Sequence, residues 1–299
     1  MSKALVLSGG GPVGIAWQTG LAAGLARHGV VLADAQLILG TSAGSAVGAQ
    51  LALGRDPEEQ LARYAAAGGQ PAEPPSSDGG RPPVAPGQMA RLIELLGEAA
   101  KDDGSPVEVR KVVGRFALDA DTFPEERFVG MFSYLAGEPW PEVFRCTAVE
   151  AETGEFQVWD HQSGADIDRA VASSCAVPGI FPPITIGQKR YMDGGVRSGA
   201  SVDLAAGHER VVLITLMSPD RMAAQGADDD RLAAMRARAE RELEVVRQAG
   251  GTVEVIGPDD EAAAVMGMNL MDFSLGPAAA NAGVRQGEAA ATALKDFWA

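Results

Sequence analysis

Ser42, in Gly40-Thr41-Ser42-Ala43-Gly44, has the residue type and spacing of a nucleophile. It follows the apolar run Ala35-Gln36-Leu37-Ile38-Leu39 and opens a helix-like segment. Glycines two positions before and after a serine let the chain turn sharply from strand to helix. The serine's own backbone is then strained and its hydroxyl is pushed out above the sheet. Such a hydroxyl needs donors for the negative charge that develops on an attacked carbonyl, and a base for its proton. The first apolar run ends in Ser8-Gly9-Gly10-Gly11-Pro12-Val13-Gly14. Consecutive glycines allow neighbouring amides to point the same way above a helix N-terminus, forming a cradle for an anion. Beside Ser42, Gly10 and Gly11 are the donors this arrangement selects. Losing one such donor typically costs ~3–4 kcal/mol of barrier.

The spacing Gly9-x-Gly11-x-x-Gly14 also fits the dinucleotide fingerprint, so a nucleotide-binding oxidoreductase is the competing reading. That fingerprint needs an acid at the end of the second strand to hold the ribose. Here the second strand ends in the serine elbow, and Asp34 lies before the strand. The acid is at the wrong end. No Gly-Lys-Ser/Thr follows, which removes a P-loop.

The chain holds three histidines. In α/β sheets function collects at the carboxyl ends of strands, where the glycine loop and Ser42 both belong. His28 ends the first helix, which runs away from that edge. His208 precedes the strand around Val211 and so lies at the opposite edge. His161 follows the run 155–159, and the edge argument does not dismiss it. The favoured base is Asp193, in Tyr191-Met192-Asp193-Gly194-Gly195, which ends a short strand and is followed by two glycines that permit a sharp turn.

Elements of an α/β fold must position these groups, because short apolar runs alternate with longer helical patterns. The patterns predict strands over 4–8, 36–39, 144–150, 155–159, 190–192, 211–217 and 252–256. They predict helices over 14–27, 43–53, 57–67, 88–102, 105–118, 124–136, 166–175, 228–249 and 283–297. The runs 144–150 and 155–159 flank Ala151-Glu152-Thr153-Gly154 as a hairpin, so the sheet should be mixed rather than wholly parallel. Residues 68–87 contain six prolines and five glycines and read as a flexible loop. The helical block 88–136 interrupts the strand series and reads as a cap or lid insertion. Residues 1–299 are expected to form one domain. The dense alternating charge of 228–249 marks an exposed helix.

Composition sets the partners. Of 299 residues 46% are hydrophobic and 22% charged, an ordinary globular profile. A net charge of −15 argues against nucleic acid and strongly anionic bilayers. Cys146 and Cys175 have neither metal-ligand spacing nor a nearby histidine, so they read as buried thiols, and neither a metal nor a cofactor is expected. The opening residues read as a first strand rather than a signal peptide, and no apolar run approaches the ~18 residues that span a bilayer. The expected place is the cytosol, with transient contact to membrane surfaces.

Together the glycine loop, the serine elbow and Asp193-Gly194-Gly195 resemble the patatin-like phospholipases. Cys146-Thr147-Ala148, Thr153-Gly154, Ala172-Ser173-Ser174-Cys175-Ala176-Val177-Pro178 and Phe181-Pro182-Pro183 add to the resemblance. It covers about 1–60 and 140–220, omits 68–136 and is loose over 220–299. Val13 stands where that family usually carries Lys or Arg. Val196-Arg197-Ser198-Gly199-Ala200 stands where it commonly reads Asn-x-Pro. The resemblance implies a three-layer α/β/α sandwich with a mostly parallel central sheet. It also implies a Ser42–Asp193 dyad, with amides of Gly10, Gly11 and Ala43 as the oxyanion hole and Gly9, Gly14, Gly40, Gly44, Gly194 and Gly195 as motif glycines. The implied activity is hydrolysis of lipid or small acyl esters through an acyl-serine; a catalytically silent binding protein of the same fold is the other alternative. Ile180, Phe181 and the methionine-rich segment Met266–Phe273 are candidates to line an adaptable apolar groove.

Overall fold

The computed structural model describes residues 1–66, 87–88, 91–92, 94–95, 106–216 and 229–299. All of the Pro/Gly-rich stretch 68–87 but Gly87 and most of the helix expected over 88–102 fall outside the described residues, as do Met217 and Asp228. The elements run β1 (Lys3–Leu7), α1 (Gly11–Arg27), β2 (Leu37–Thr41), α2 (Ala43–Ala52), α3 (Pro57–Ala66), α4 (Pro106–Asp119) and α5 (Glu125–Gly130). Then follow β3 (Phe144–Glu150), β4 (Phe156–Trp159), α6 (Ile167–Ser174), β5 (Ile184–Ile186) and β6 (Lys189–Asp193). The chain closes with β7 (Arg210–Ile214), α7 (Asp229–Gln248), β8 (Thr252–Ile256), α8 (Asp260–Met266) and α9 (Gly276–Trp298). It divides into two compact units, one of 1–71, 143–145 and 200–299, the other of 72–142 and 146–199.

In the first unit β2, β1, β7 and β8 are all parallel, with β1 between β2 and β7. Alternation along each strand sorts side chains to opposite faces. Ala4, Val6, Leu37, Leu39, Val211 and Leu213 pack on one face against Val202, Ala205 and, from α7, Val246. Leu7 and Ile38 point to the other face, where α2 approaches so closely that a Cβ at Gly48 would stand 3.1 Å from Ile38 Cγ2. A sheet between two helix layers is the three-layer arrangement that the resemblance implies. Each fully buried leucine in it, such as Leu5 or Ile38's neighbour Leu39, stabilises the fold by about 1.5–3 kcal/mol.

α1 runs against α9 at backbone contact. A Cβ at Gly20 or Gly24 would overlap the carbonyls of Ala280 and Val284, and one at Gly283 or Gly287 would overlap those of Trp17 and Leu21. Two pairs of glycines spaced by four thus face each other on adjoining helix surfaces. α9 begins at Gly276, earlier than the expected 283, because Pro277 in its first turn fits a helix start and ends the preceding turn.

The second unit is antiparallel where the first is parallel. β4 pairs with β3 as the expected hairpin, Cys146 opposite Trp159, and β3 pairs with β6, which pairs with β5. The strand directions are therefore mixed, as the hairpin reading requires. β5 has only three residues, too few for a periodic signal. α4 lays Val113 and Ala117 on Val149, Met192 and Val196. The helix expected over 124–136 is shorter: α5 stops at Gly130, and Ser133–Leu135 forms a separate 3-10 turn. Phe128 in α5 stacks on Phe181 at 4.3 Å and meets Phe132 edge-on at 5.4 Å, and Gly130, a poor helix former, stands at the break. Among the described residues no helix is long and apolar enough to cross a membrane.

Candidate active site

Ser42 lies between the last residue of β2 and the first of α2, at φ 52° and ψ −121°. Among the described residues only Ser42 and Ser201 are non-glycine with positive φ. Such a conformation costs about 1–3 kcal/mol and persists only where its surroundings over-determine it. Here Ser42's carbonyl accepts both the Ser45 amide at 2.8 Å and the Ser45 hydroxyl at 2.6 Å. A Cβ at Gly44 would overlap the Leu7 carbonyl oxygen, and one at Gly40 would overlap the Cα of Ser45. Both motif glycines are thus required by backbone-to-backbone approach. Gly44→Ala is expected to cost about 1–3 kcal/mol, to lower Tm by about 5 °C and to slow phosphonate labelling of Ser42 about tenfold or more through misplacement. Calorimetry and a labelling time course check this, and an unchanged pair of values would contradict the packing.

The glycine loop joins β1 to α1 beside this elbow. Gly10 is extended at φ 169°, whereas Gly11 takes φ 59°. Pro12 occupies the first turn of α1, where its missing N–H costs nothing. Gly14 lies inside that turn, and a Cβ on it would stand 3.6 Å from Ala43 Cβ, so loop and elbow adjoin. The first amides of a helix have no intrahelical partner. Gly14 N–H donates to Gly10 O at 2.8 Å and Val13 N–H to Leu270 O at 3.2 Å. The amides of Gly10, Gly11 and Ala43 make no hydrogen bond among the described residues. Two helix N-termini therefore present their unengaged donors in one unit, at the carboxyl ends of β1 and β2.

Two residues that sequence reasoning did not assign hold this corner. Ser8 donates its amide to Ile214 O at 2.9 Å and its hydroxyl to Gly9 O at 2.9 Å, and that hydroxyl accepts the Leu216 amide at 3.1 Å. Its carbonyl accepts Gly44 N–H at 3.1 Å and Gln18 Nε2 at 2.9 Å. Ser8 thereby ties the loop, the elbow helix and the end of β7 together. Gln18 is fully buried in a helix otherwise lined by Ala16, Trp17, Leu21 and Ala22. A lone amide side chain in an apolar run was the available signal.

Asp193 ends β6 in the second unit and is buried, 5% exposed. Its amide donates to Ala176 O at 2.9 Å, and its Oδ1 accepts the Gly195 amide at 2.7 Å. A Cβ at Gly194 would overlap Thr147 Oγ1, and β6 is registered on β3 with Asp193 opposite Ala148. The carboxyl is thus held by a local turn and a ladder, with a fixed direction.

The histidines of the first unit sit far from Ser42. β2 and β7 are parallel to β1, so His208, ahead of β7, is a strand length away, about 16 Å for five residues. Its Nδ1 lies 3.1 Å from Ala205 O. His28 caps the far end of the 17-residue α1, about 25 Å from its start. His161 is exposed after β4 in the second unit. β2 ends in Thr41 without an acid, and Asp34 lies in a 3-10 turn before the strand. Cys146 and Cys175 are buried and not joined in a disulfide, and burial foremost, then the neighbouring Cys175, pushes the Cys146 thiol up. No group of three or more metal-ligating side chains gathers among the described residues.

A comparison with curated proteins finds no match. Among solved structures the chain is similar to VipD from Legionella pneumophila, at 13% identity and a TM-score of 0.45, covering 98% of this chain and 67% of that one. The model of the Patatin-like phospholipase family matches residues 5–206, well over half of the sequence, and the chain belongs to that family.

Proposed function

We propose that the protein is a serine acyl hydrolase, acting on lipid or small acyl esters through an acyl-serine intermediate. Family membership supports lipid acyl hydrolysis in general. The observation that carries the assignment to this site is Ser42, held at a strained turn beside the three unengaged amides of Gly10, Gly11 and Ala43.

In this mechanism Ser42 Oγ attacks the ester carbonyl carbon while its proton passes to the Asp193 carboxylate. The carbonyl oxygen becomes an oxyanion held by the Gly10, Gly11 and Ala43 amides. Collapse breaks the bond to the alcohol, which leaves with the proton from Asp193. Water then attacks the acyl-serine and gives its proton to Asp193. The second tetrahedral species releases the carboxylic acid as Ser42 Oγ regains a proton. A carboxylate, with an ordinary pKa of about 3.9, is a weak base for a hydroxyl. Much of the acceleration must therefore come from preorganised amides and placement, which lower the barrier without moving a proton. No cofactor enters this chemistry. The reading places the enzyme in the cytosol with its lipid at a membrane surface, and the net charge of −15 favours zwitterionic or neutral lipid over anionic.

A fluorophosphonate probe is expected to label the protein at Ser42 alone, as shown by peptide mass mapping. Only an activated serine reacts at a useful rate. Absence of labelling, with saturable binding of a dinucleotide instead, would establish the oxidoreductase reading; absence of both would leave a silent binding protein.

A further inference from the structure

The segment between α8 and α9 folds through its own polar side chains. Asn269 Oδ1 accepts the Met271 amide at 3.1 Å, and Asp272 N–H donates to Asn269 O at 3.1 Å. Asp272 Oδ1 in turn accepts the Ser274 amide at 3.0 Å and its hydroxyl at 2.7 Å. Two consecutive Asx turns of this kind fix a short stretch without a helix or strand. They deliver Leu270 and Met271 to the glycine loop. Leu270 O accepts Val13 N–H at 3.2 Å, and a Cβ at Gly11 would stand 2.6 Å from that oxygen and 3.0 Å from Met271 Sδ. The Met271 thioether therefore lies against the Gly11 backbone, and its side chain is only partly covered.

We propose that Met271 is a specificity-determining wall of the acyl site, setting which acyl groups fit beside the oxyanion loop. This rests on the acyl hydrolase reading above. A carbonyl oxygen held about 2.9 Å from the Gly10 and Gly11 amides brings its acyl carbons within van der Waals reach of a side chain packed on Gly11. Leu270 acts differently, as a positioning residue. By accepting Val13 N–H it occupies the next donor of α1 and leaves those of Gly10 and Gly11 for the substrate. Methionine has three rotatable bonds and a polarisable sulfur, so the wall yields to different chains. It lies beyond residue 206, where the family match ends, so the family motifs do not encode it.

The test compares wild type, Met271→Ala, Met271→Phe and Met271→Leu on p-nitrophenyl butyrate and p-nitrophenyl laurate, with fluorophosphonate labelling of Ser42 alongside. The ratio of kcat/KM for laurate to that for butyrate should rise about tenfold in the alanine variant and fall about tenfold in the phenylalanine variant. The leucine variant should stay near wild type. A ratio is insensitive to the fraction of folded protein, so lost stability does not mimic the effect. Equal ratios in all four proteins, with Ser42 labelled and wild type active, overturn the role of Met271 alone. An unlabelled, inactive wild type overturns the hydrolase reading and this inference with it.

Discussion

Ser42→Ala is expected to reduce ester turnover by about 10⁴–10⁶-fold, leaving only what oriented amides achieve without a nucleophile. The change removes one oxygen and keeps the backbone, so the fold should persist and fluorophosphonate labelling should vanish. Ser42→Gly makes the same point with a second readout. At φ 52° and ψ −121° the side chain is what strains the turn, and glycine populates such conformations freely. The glycine variant should therefore be equally inactive yet more stable, by about 1 kcal/mol after the extra flexibility of its unfolded chain is subtracted. A gain in Tm with a loss of activity is the mark of a residue held in place for chemistry. Substantial turnover in both variants would remove Ser42 from the mechanism.

The corner that holds Ser42 was legible because its signals are local. An apolar run, a glycine-spaced serine and a helix are written within 35–53, and the parallel strands β1, β2, β7 and β8 carry runs that stand out against their neighbours. The hairpin β3–β4 was readable from its turn. What escaped depends on partners distant in sequence. Nothing local marks Gly20 and Gly24, whose role depends on the α9 carbonyls that would collide with a Cβ. Gly283 and Gly287 carry the matching spacing, and that coincidence was the one sequence trace of the contact. The helix expected over 124–136 is interrupted after Gly130, a break that its helical period does not announce. Met266–Phe273 was readable as apolar and adaptable. Its address was not, since the bond between Leu270 and Val13 joins positions more than 250 residues apart.

Asp193→Asn is expected to lower kcat by about 10³–10⁴-fold, and the reason separates a dyad from a triad. Asparagine keeps the shape of the side chain and an oxygen able to accept the Gly195 amide, now at 2.7 Å. The turn Gly194–Val196 and the β3–β6 ladder should survive, and Tm should move by no more than a few degrees. The amide cannot accept a proton from a hydroxyl, so acylation slows while the strained serine and its oxyanion donors remain. Phosphonate labelling should accordingly weaken but persist, unlike in Ser42→Ala. A histidine base predicts a different pattern. His208→Ala and His161→Ala should leave kcat within about twofold, because His208 lies a strand length from Ser42, about 16 Å, and His161 is exposed. Loss of two or more decades in either histidine variant, with Asp193→Asn near wild type, would hand the proton to imidazole and leave Asp193 as a turn residue.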